Sequence, residues 1–254
     1  MTRKVIIDFF PESVLRYQNG YGVVAVDVIR ASTSIATAVS MGRRCFPVPS
    51  LEAAWRVAAR LDNPLMVGEL GGVIPGDFEM NNSPAELAAR TDVSRPMVLL
   101  SSSGTKLIHL ARHCEAAYIA CFRNFEFVSR YLDGRHSHIA LIGAGSRSER
   151  REEDQICCAW MARQLLAAGY AAENRETEEM VERWGTASLD AILSGSSAHY
   201  LMRSGQARDL MFILTHISDL EWAFAIQEDE VVGFTSAEDQ FAFSGSGPGA
   251  RRRP

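Results

Sequence analysis

The feature that most constrains this chain is a junction met several times along it. An apolar run of strand length passes through a short segment of Gly, Ser, Asp or Arg into a helix-like stretch. Val23-Val24-Ala25-Val26 leads into Asp27-Val28-Ile29-Arg30-Ala31-Ser32-Thr33, and Met97-Val98-Leu99-Leu100 into Ser101-Ser102-Ser103-Gly104-Thr105. His138-Ile139-Ala140-Leu141-Ile142 leads into Gly143-Ala144-Gly145, with Glu153-Asp154 a little beyond. Strands that alternate with helices need crossovers, which favours a mainly parallel sheet covered by helices on its faces. In such sheets these junctions lie at the carboxyl ends of the strands, where backbone N–H groups and helix N-termini receive anions. The chain reads as an α/β enzyme for a small anion, a layered α/β/α arrangement with a mainly parallel or mixed sheet.

Coarse periodicity places strands at 4–9, 22–28, 65–67, 97–100, 116–120 and 138–142. Helices are predicted over 34–41, 50–61, 85–90, 105–112, 125–132 and 152–168, with two or three more between Thr177 and Ser204. The apolar run Asp209 to Leu214 is predicted as a late strand and Val231-Val232 as a weak one. Between Gly68-Glu69 and Asn81-Asn82-Ser83-Pro84 runs a loop longer than a simple connection needs, which suits binding work. A chain of 254 residues suits one large α/β region over 1–244 or two lobes dividing near Gly169. The glycine-rich, arginine-ended segment 245–254 is expected to be a disordered tail. No internal repeat of fixed period is present.

A formal charge of −5 without a basic face argues against nucleic acid as a partner. The apolar run after Met1-Thr2-Arg3-Lys4 is too short for a signal peptide or a membrane span, so a cytoplasmic protein is expected, with no membrane partner. Five cysteines without metal-finger spacing read as reduced, buried thiols. A homodimer is compatible with such a chain.

Several groups bring chemistry to the strand ends. Asp27 and Arg30 offer a carboxylate for a hard cation and a guanidinium for an anion; equally, Ser32 or Thr33 caps a helix beside a structural Asp27–Arg30 pair. Ser101 to Thr105 forms a hydroxyl-rich turn suited to an anion, or a strand-to-helix turn capped by Ser103. Glu69 follows a strand, and Glu153-Asp154 open a helix, where acids also simply complement the dipole. Arg123-Asn124 end another strand; Asn124 either meets substrate or caps the next helix. No Ser-His-Asp order, Walker loop or complete dinucleotide fingerprint is present.

Together these segments resemble the 2-phosphosulfolactate phosphatase family. The resemblance rests on Asp27 to Ile35, Gly68-Glu69, Asn82-Ser83-Pro84, Ser103-Gly104-Thr105, Asn124, Glu153-Asp154 and Asp209, over roughly residues 5 to 215. It implies Mg²⁺-dependent hydrolysis of a phosphate ester on a small 2-hydroxy acid, 2-phospho-3-sulfolactate being the family's named substrate on the route to coenzyme M. On that footing Asp27, Glu69 and Asp154 are expected to hold metal or move protons. Arg30, Asn82, Ser83, Ser103, Gly104, Thr105 and Asn124 are expected to contact the anionic substrate. Ser103 stands where the family usually has Asn, and Cys157-Cys158-Ala159 replaces its common Ala-Gly. A non-catalytic phosphometabolite-binding or regulatory protein with the same pocket is the alternative.

Overall fold

A computed structural model describes residues 2–146 and 149–235. The first half supplies strands Lys4–Asp8 (β1), Gly22–Val26 (β2), Cys45–Val48 (β3), Leu65–Gly68 (β4) and Met97–Leu100 (β5), with helices Ala31–Ser40 (α1), Leu51–Ala58 (α2) and Pro84–Ala89 (α3). Then come Gly104–Ala111 (α4), Ala116–Ala120 (β6), Phe125–Leu132 (α5), His138–Gly143 (β7) and Glu152–Ala167 (α6). The chain continues through Ala171–Ala172 (β8), Arg175–Trp184 (α7), Asp190–Leu193 (α8), Ser196–Arg203 (α9) and Ala207–Thr215 (α10), and closes on Ala223–Gln227 (β9) and Glu230–Phe234 (β10).

The strands form one sheet in the order β4-β5-β3-β10-β9-β6-β2-β7-β1-β8. It contains two parallel blocks, β4-β5-β3 and β6-β2-β7-β1-β8, joined through the antiparallel hairpin β9–β10. The mixed alternative of the sequence reading is therefore the one realised. β8 follows Gly169 and pairs with β1, so the chain on both sides of that glycine enters the same sheet.

Alternation along the buried strands separates the cores. Val24 and Val26 join Val5, Ile7, Ile139 and Leu141 beneath α5 and α6, while Val23 and Ala25 join Ile6, Ala140 and Ile142 on the face that meets α1 and α4. A third cluster packs Phe46, Val48, Met66, Val98 and Leu100 on α2. Strands buried on both faces explain why β2 is wholly apolar.

Helix α1 is unusual: nine of its ten residues are buried. Its small side chains admit neighbours on every side, and its hydroxyls are satisfied by backbone carbonyls: Thr33 donates to that of Val28, Ser34 to that of Asn82 and Thr37 to that of Thr33.

One expectation fails here. Asp209 to Leu214 is part of helix α10, not a strand. Its inward residues Asp209, Leu210 and Ile213 are spaced by a helical turn, whereas a short apolar run alone does not distinguish the two. Strand β3 escapes the sequence reading because Pro47 lacks a ladder donor; β10 pairs with it only at Cys45. All five cysteines are free, and only Cys114 is not fully buried. Among the described residues no helix is long and apolar enough to cross a membrane. The tail from 245 onward lies outside the described residues.

Candidate active site

The carboxyl ends of β2, β4, β5 and β7 open on one cleft of about 430 Å³. Asp27 comes from the end of β2, Glu69 from β4, Ser101 to Ser103 from β5, and Ala144 and Ser146 from β7. Arg151 and Asp154 enter from the start of α6, and Ser196, Ser197, Tyr200 and Leu201 from α9, which forms the opposite wall.

Asp154 ties two strand ends together. Its Oδ1 accepts from the Val28 N–H at 2.8 Å and its Oδ2 from the Ala144 N–H at 3.0 Å. Asp27 Oδ1 accepts from the Ala31 N–H at 3.2 Å, at the amino end of α1. Burial pushes the Asp27 carboxyl up to about 6, and the Glu69 charge adds to the rise, against the Ala31 N–H, Arg151 and Arg30. Burial also raises Asp154 well above the usual aspartate range, with Asp27 and Glu153 reinforcing it, and lifts Glu153 to about 7. Neither Glu153 oxygen completes a hydrogen bond of good geometry.

Arg30 is 5 % exposed, and its partner is Asp209 at 2.6 Å, not Asp27. Its Nη1 also donates to Gln206 and its Nη2 to Asn81 at 3.0 Å. Asp209 in turn accepts from the Ser83 hydroxyl at 2.5 Å and the Ala85 N–H at 3.2 Å. Those three bonds leave Nε and the second Nη2 proton, one edge of the guanidinium, for a bidentate anion in the cleft that Arg30 lines. Removing the counter-charge by Asp209→Ala is expected to destabilise the protein by about 3 to 5 kcal/mol, the cost of an uncompensated buried charge. Denaturant midpoints for the variant and wild type measure it; an unchanged midpoint refutes the clamp.

Glu69 is held by its loop: Oε1 accepts from the Ser102 N–H at 2.8 Å, and Oε2 from the Gly72 N–H at 2.7 Å and the Ser102 hydroxyl at 2.9 Å. Gly68 precedes it at φ +150°, where a Cβ would stand 2.1 Å from the Leu100 carbonyl oxygen, so β4 can lie this close to β5 only with glycine. Gly104 has a comparable task. A Cβ there would sit 1.9 Å from Asp27 Oδ2. Gly104→Ala is expected to displace the Asp27 carboxylate and lower turnover at least about tenfold while the protein stays folded; wild-type kinetics with an intact fold count against that role for Asp27.

Of the residues expected from sequence, the cleft gathers Asp27, Arg30, Glu69, Asn82, Ser103 and Asp154, with Gly104 immediately behind Asp27. Ser83, Thr105 and Asn124 do not line it. Ser83 caps α3 and holds Asp209, and Thr105 closes the turn by donating to the Ser101 carbonyl and accepting from its N–H. Asn124 is fully buried: its Oδ1 accepts from the Cys121 N–H, and its Nδ2 donates to the Ile119 and Trp222 carbonyls, joining β6 to the start of β9. It is a backbone brace, so its assignment to substrate is corrected. Arg151, Ser146, Ser196, Ser197 and Tyr200 were not foreseen. Their only sequence signal, an arginine before Glu-Glu-Asp and a Ser-Ser helix start, is common in surface segments.

Among the described residues no three His, Cys, Asp or Glu side chains converge as a metal cage. The donors in the cleft are nevertheless hard oxygens. The Asp27 charge raises the proton affinity of the buried Asp154 carboxyl, and among the described residues the buried Asn82 Oδ1 has no partner. A cation that keeps waters and takes substrate oxygens, as Mg²⁺ does, needs no fuller set. Glu69 and Asp154 alike have both oxygens engaged by hydrogen-bond donors, and each carboxylate oxygen keeps further acceptor capacity.

A family model described as 2-phosphosulpholactate phosphatase matches residues 9–220, a span that includes every cleft residue named above. The chain belongs to the 2-phosphosulpholactate phosphatase family. It is thus a phosphatase, a phosphoric monoester hydrolase. Among curated relatives, a probable 2-phosphosulfolactate phosphatase of Pseudothermotoga lettingae is 31 % identical over 207 residues, 80 % of this chain and 88 % of that protein. A probable 2-phosphosulfolactate phosphatase of Symbiobacterium thermophilum is 29 % identical over 202 residues, 76 % and 86 % of the two chains.

Proposed function

We propose that this phosphatase hydrolyses the ester of 2-phospho-3-sulfolactate to 3-sulfolactate and phosphate, with Mg²⁺ held by Asp27, Asp154 and the Asn82 carbonyl oxygen. The observation that carries the reading is the convergence, in one cleft, of two mutually repelling buried carboxylates and an arginine with an unpartnered edge. Charge balance supports the cation. The substrate's phosphate, carboxylate and sulfonate carry together about four negative charges near neutral pH. The described arginines of the cleft are Arg30 and Arg151, the first already neutralised by Asp209, against the acids Asp27, Glu69 and Asp154.

When bound, the cation supplies charge stabilisation to the phosphate oxygens. Phosphoryl transfer passes through a loose transition state that needs positioning and electrostatic support more than a strong base. Arg30 takes phosphate oxygens on its Nε–Nη2 edge, already oriented by Asp209, Gln206 and Asn81. The Ser103 hydroxyl and the amino end of α4 face the same anion. Asp27, anchored through its Oδ1 by the Ala31 N–H, orients the attacking water and accepts its proton. The test is phosphate release from 2-phosphosulfolactate with and without chelator; absence of release in saturating Mg²⁺ refutes the reading.

A further inference from the structure

Arg30 and Arg151 are both in the cleft, but they are held in opposite ways. Arg30 is buried and bound to a carboxylate that is itself buried, 4 % exposed. Arg151, at the residue before α6, is held by neutral groups: Nη2 donates to the Ser146 hydroxyl at 2.9 Å and Nη1 to that of Ser196 at 3.4 Å. Among the described residues the one carboxylate within ion-pair distance is Glu149, 3.5 Å away with its side chain 70 % exposed, an arrangement of little energetic weight, while the charges of Asp27 and Glu153 reach it from farther off. Among the described residues Arg151 thus has no buried carboxylate bonded to its fork, in contrast to Arg30, and its guanidinium can turn to whatever enters the cleft. The groups around it are donors as well: the Ser196 and Ser197 hydroxyls line the cleft at the start of α9.

We infer that Arg151, with Ser146 and Ser196, forms the subsite for the acid group of the substrate that is not hydrolysed, a carboxylate or sulfonate, and so determines specificity. This inference rests on the 2-phosphosulfolactate reading proposed above. The division of labour follows from the two settings. The phosphate belongs at the Asp27–Asp154 pole, beside the clamped Arg30 and the Ser103 turn. A planar carboxylate or three-oxygen sulfonate on the neighbouring carbon is met on the opposite side by a guanidinium and two hydroxyls that need break no strong ion pair to receive it. A substrate lacking that acid leaves Arg151 unanswered.

The experiment compares wild type, Arg151→Met and Arg151→Lys on phospholactate, phosphosulfolactate and isopropyl phosphate, with the Kd of sulfolactate and of inorganic phosphate measured on the same proteins. Wild type is expected to prefer the acid-bearing esters by at least about tenfold to a hundredfold in kcat/KM. In Arg151→Met that preference ratio is expected to collapse to near one, and sulfolactate to bind at least about tenfold more weakly relative to phosphate. Arg151→Lys, which keeps charge but not the fork, should fall between and gives a reading if the Met variant does not fold. An equal loss on all three esters places Arg151 on the phosphate and overturns the inference, as does an unchanged preference ratio. If wild type hydrolyses none of the esters but sulfolactate binding still depends on Arg151, the 2-phosphosulfolactate substrate reading fails and the subsite stands.

Discussion

Asp27→Asn is expected to lower phosphate release by at least about a hundredfold, the scale of losing a group that holds metal or accepts a proton in the reaction. The same substitution is expected to stabilise the metal-free protein. Burial raises the folded-state value of Asp27 from the ordinary 3.8 to about 6, so between those values the folded protein keeps a proton that the unfolded chain has released. Metal-free stability therefore falls as pH rises through that window and stays at the lower level above it. Asparagine removes this slope and retains a carbonyl oxygen for the Ala31 N–H. At pH 8 the gain is about 1 to 3 kcal/mol, at about 2 to 4 °C of melting temperature per kcal/mol for a chain of this size. Thermal melts of both proteins at pH 4 and pH 8 in chelator measure it. A variant no more stable than wild type at pH 8, yet inactive, would show that Asp27 ionisation is not a stored cost of the site.

Chelation is expected to abolish turnover and Mg²⁺ to restore it. The reason is electrostatic. A substrate with about four negative charges must enter a cleft whose buried acids, Asp27 and Asp154, already repel one another. Oxygen donors, with no thiol or imidazole among the described residues of the lining, select a hard ion over zinc. Ca²⁺, larger and less demanding in geometry, is expected to bind without restoring the full rate. Because a ligand of the folded state alone stabilises it by mass action, Mg²⁺ should raise the melting temperature of wild type at pH 8 and raise that of Asp27→Asn less. Full turnover in excess chelator, with metal removal verified by elemental analysis, would exclude the metal role.

The strand-to-helix junctions were legible because each is a local event. Asp27, Glu69, Ser103 and Asp154 follow apolar runs of the right length, and parallel strands deliver such positions to the cleft. Legibility failed where a side chain's partner is remote in sequence. Asn124 looks like a substrate ligand or a helix cap, but its amide braces Cys121, Ile119 and Trp222, the last contributed by a segment 98 residues away. Arg30 looks like the partner of Asp27 three residues earlier, yet its counter-charge is Asp209, 179 residues on. Asp209 itself lies in an apolar run that reads as a strand, and only the packing of α10 turns its carboxylate inward.

From the sequence alone follow the α/β class, most element positions, the family and the strand-end half of the site, since periodicity, turn chemistry and local motifs act over a few residues. Only the tertiary structure decides that the sheet is mixed, because the β9–β10 hairpin pairs with strands far from it in the chain. It alone decides which arginine is neutralised and which keeps its charge for substrate. That choice depends on Asp209 and Ser196, brought to the strand ends by helices that carry no signal of where they will pack.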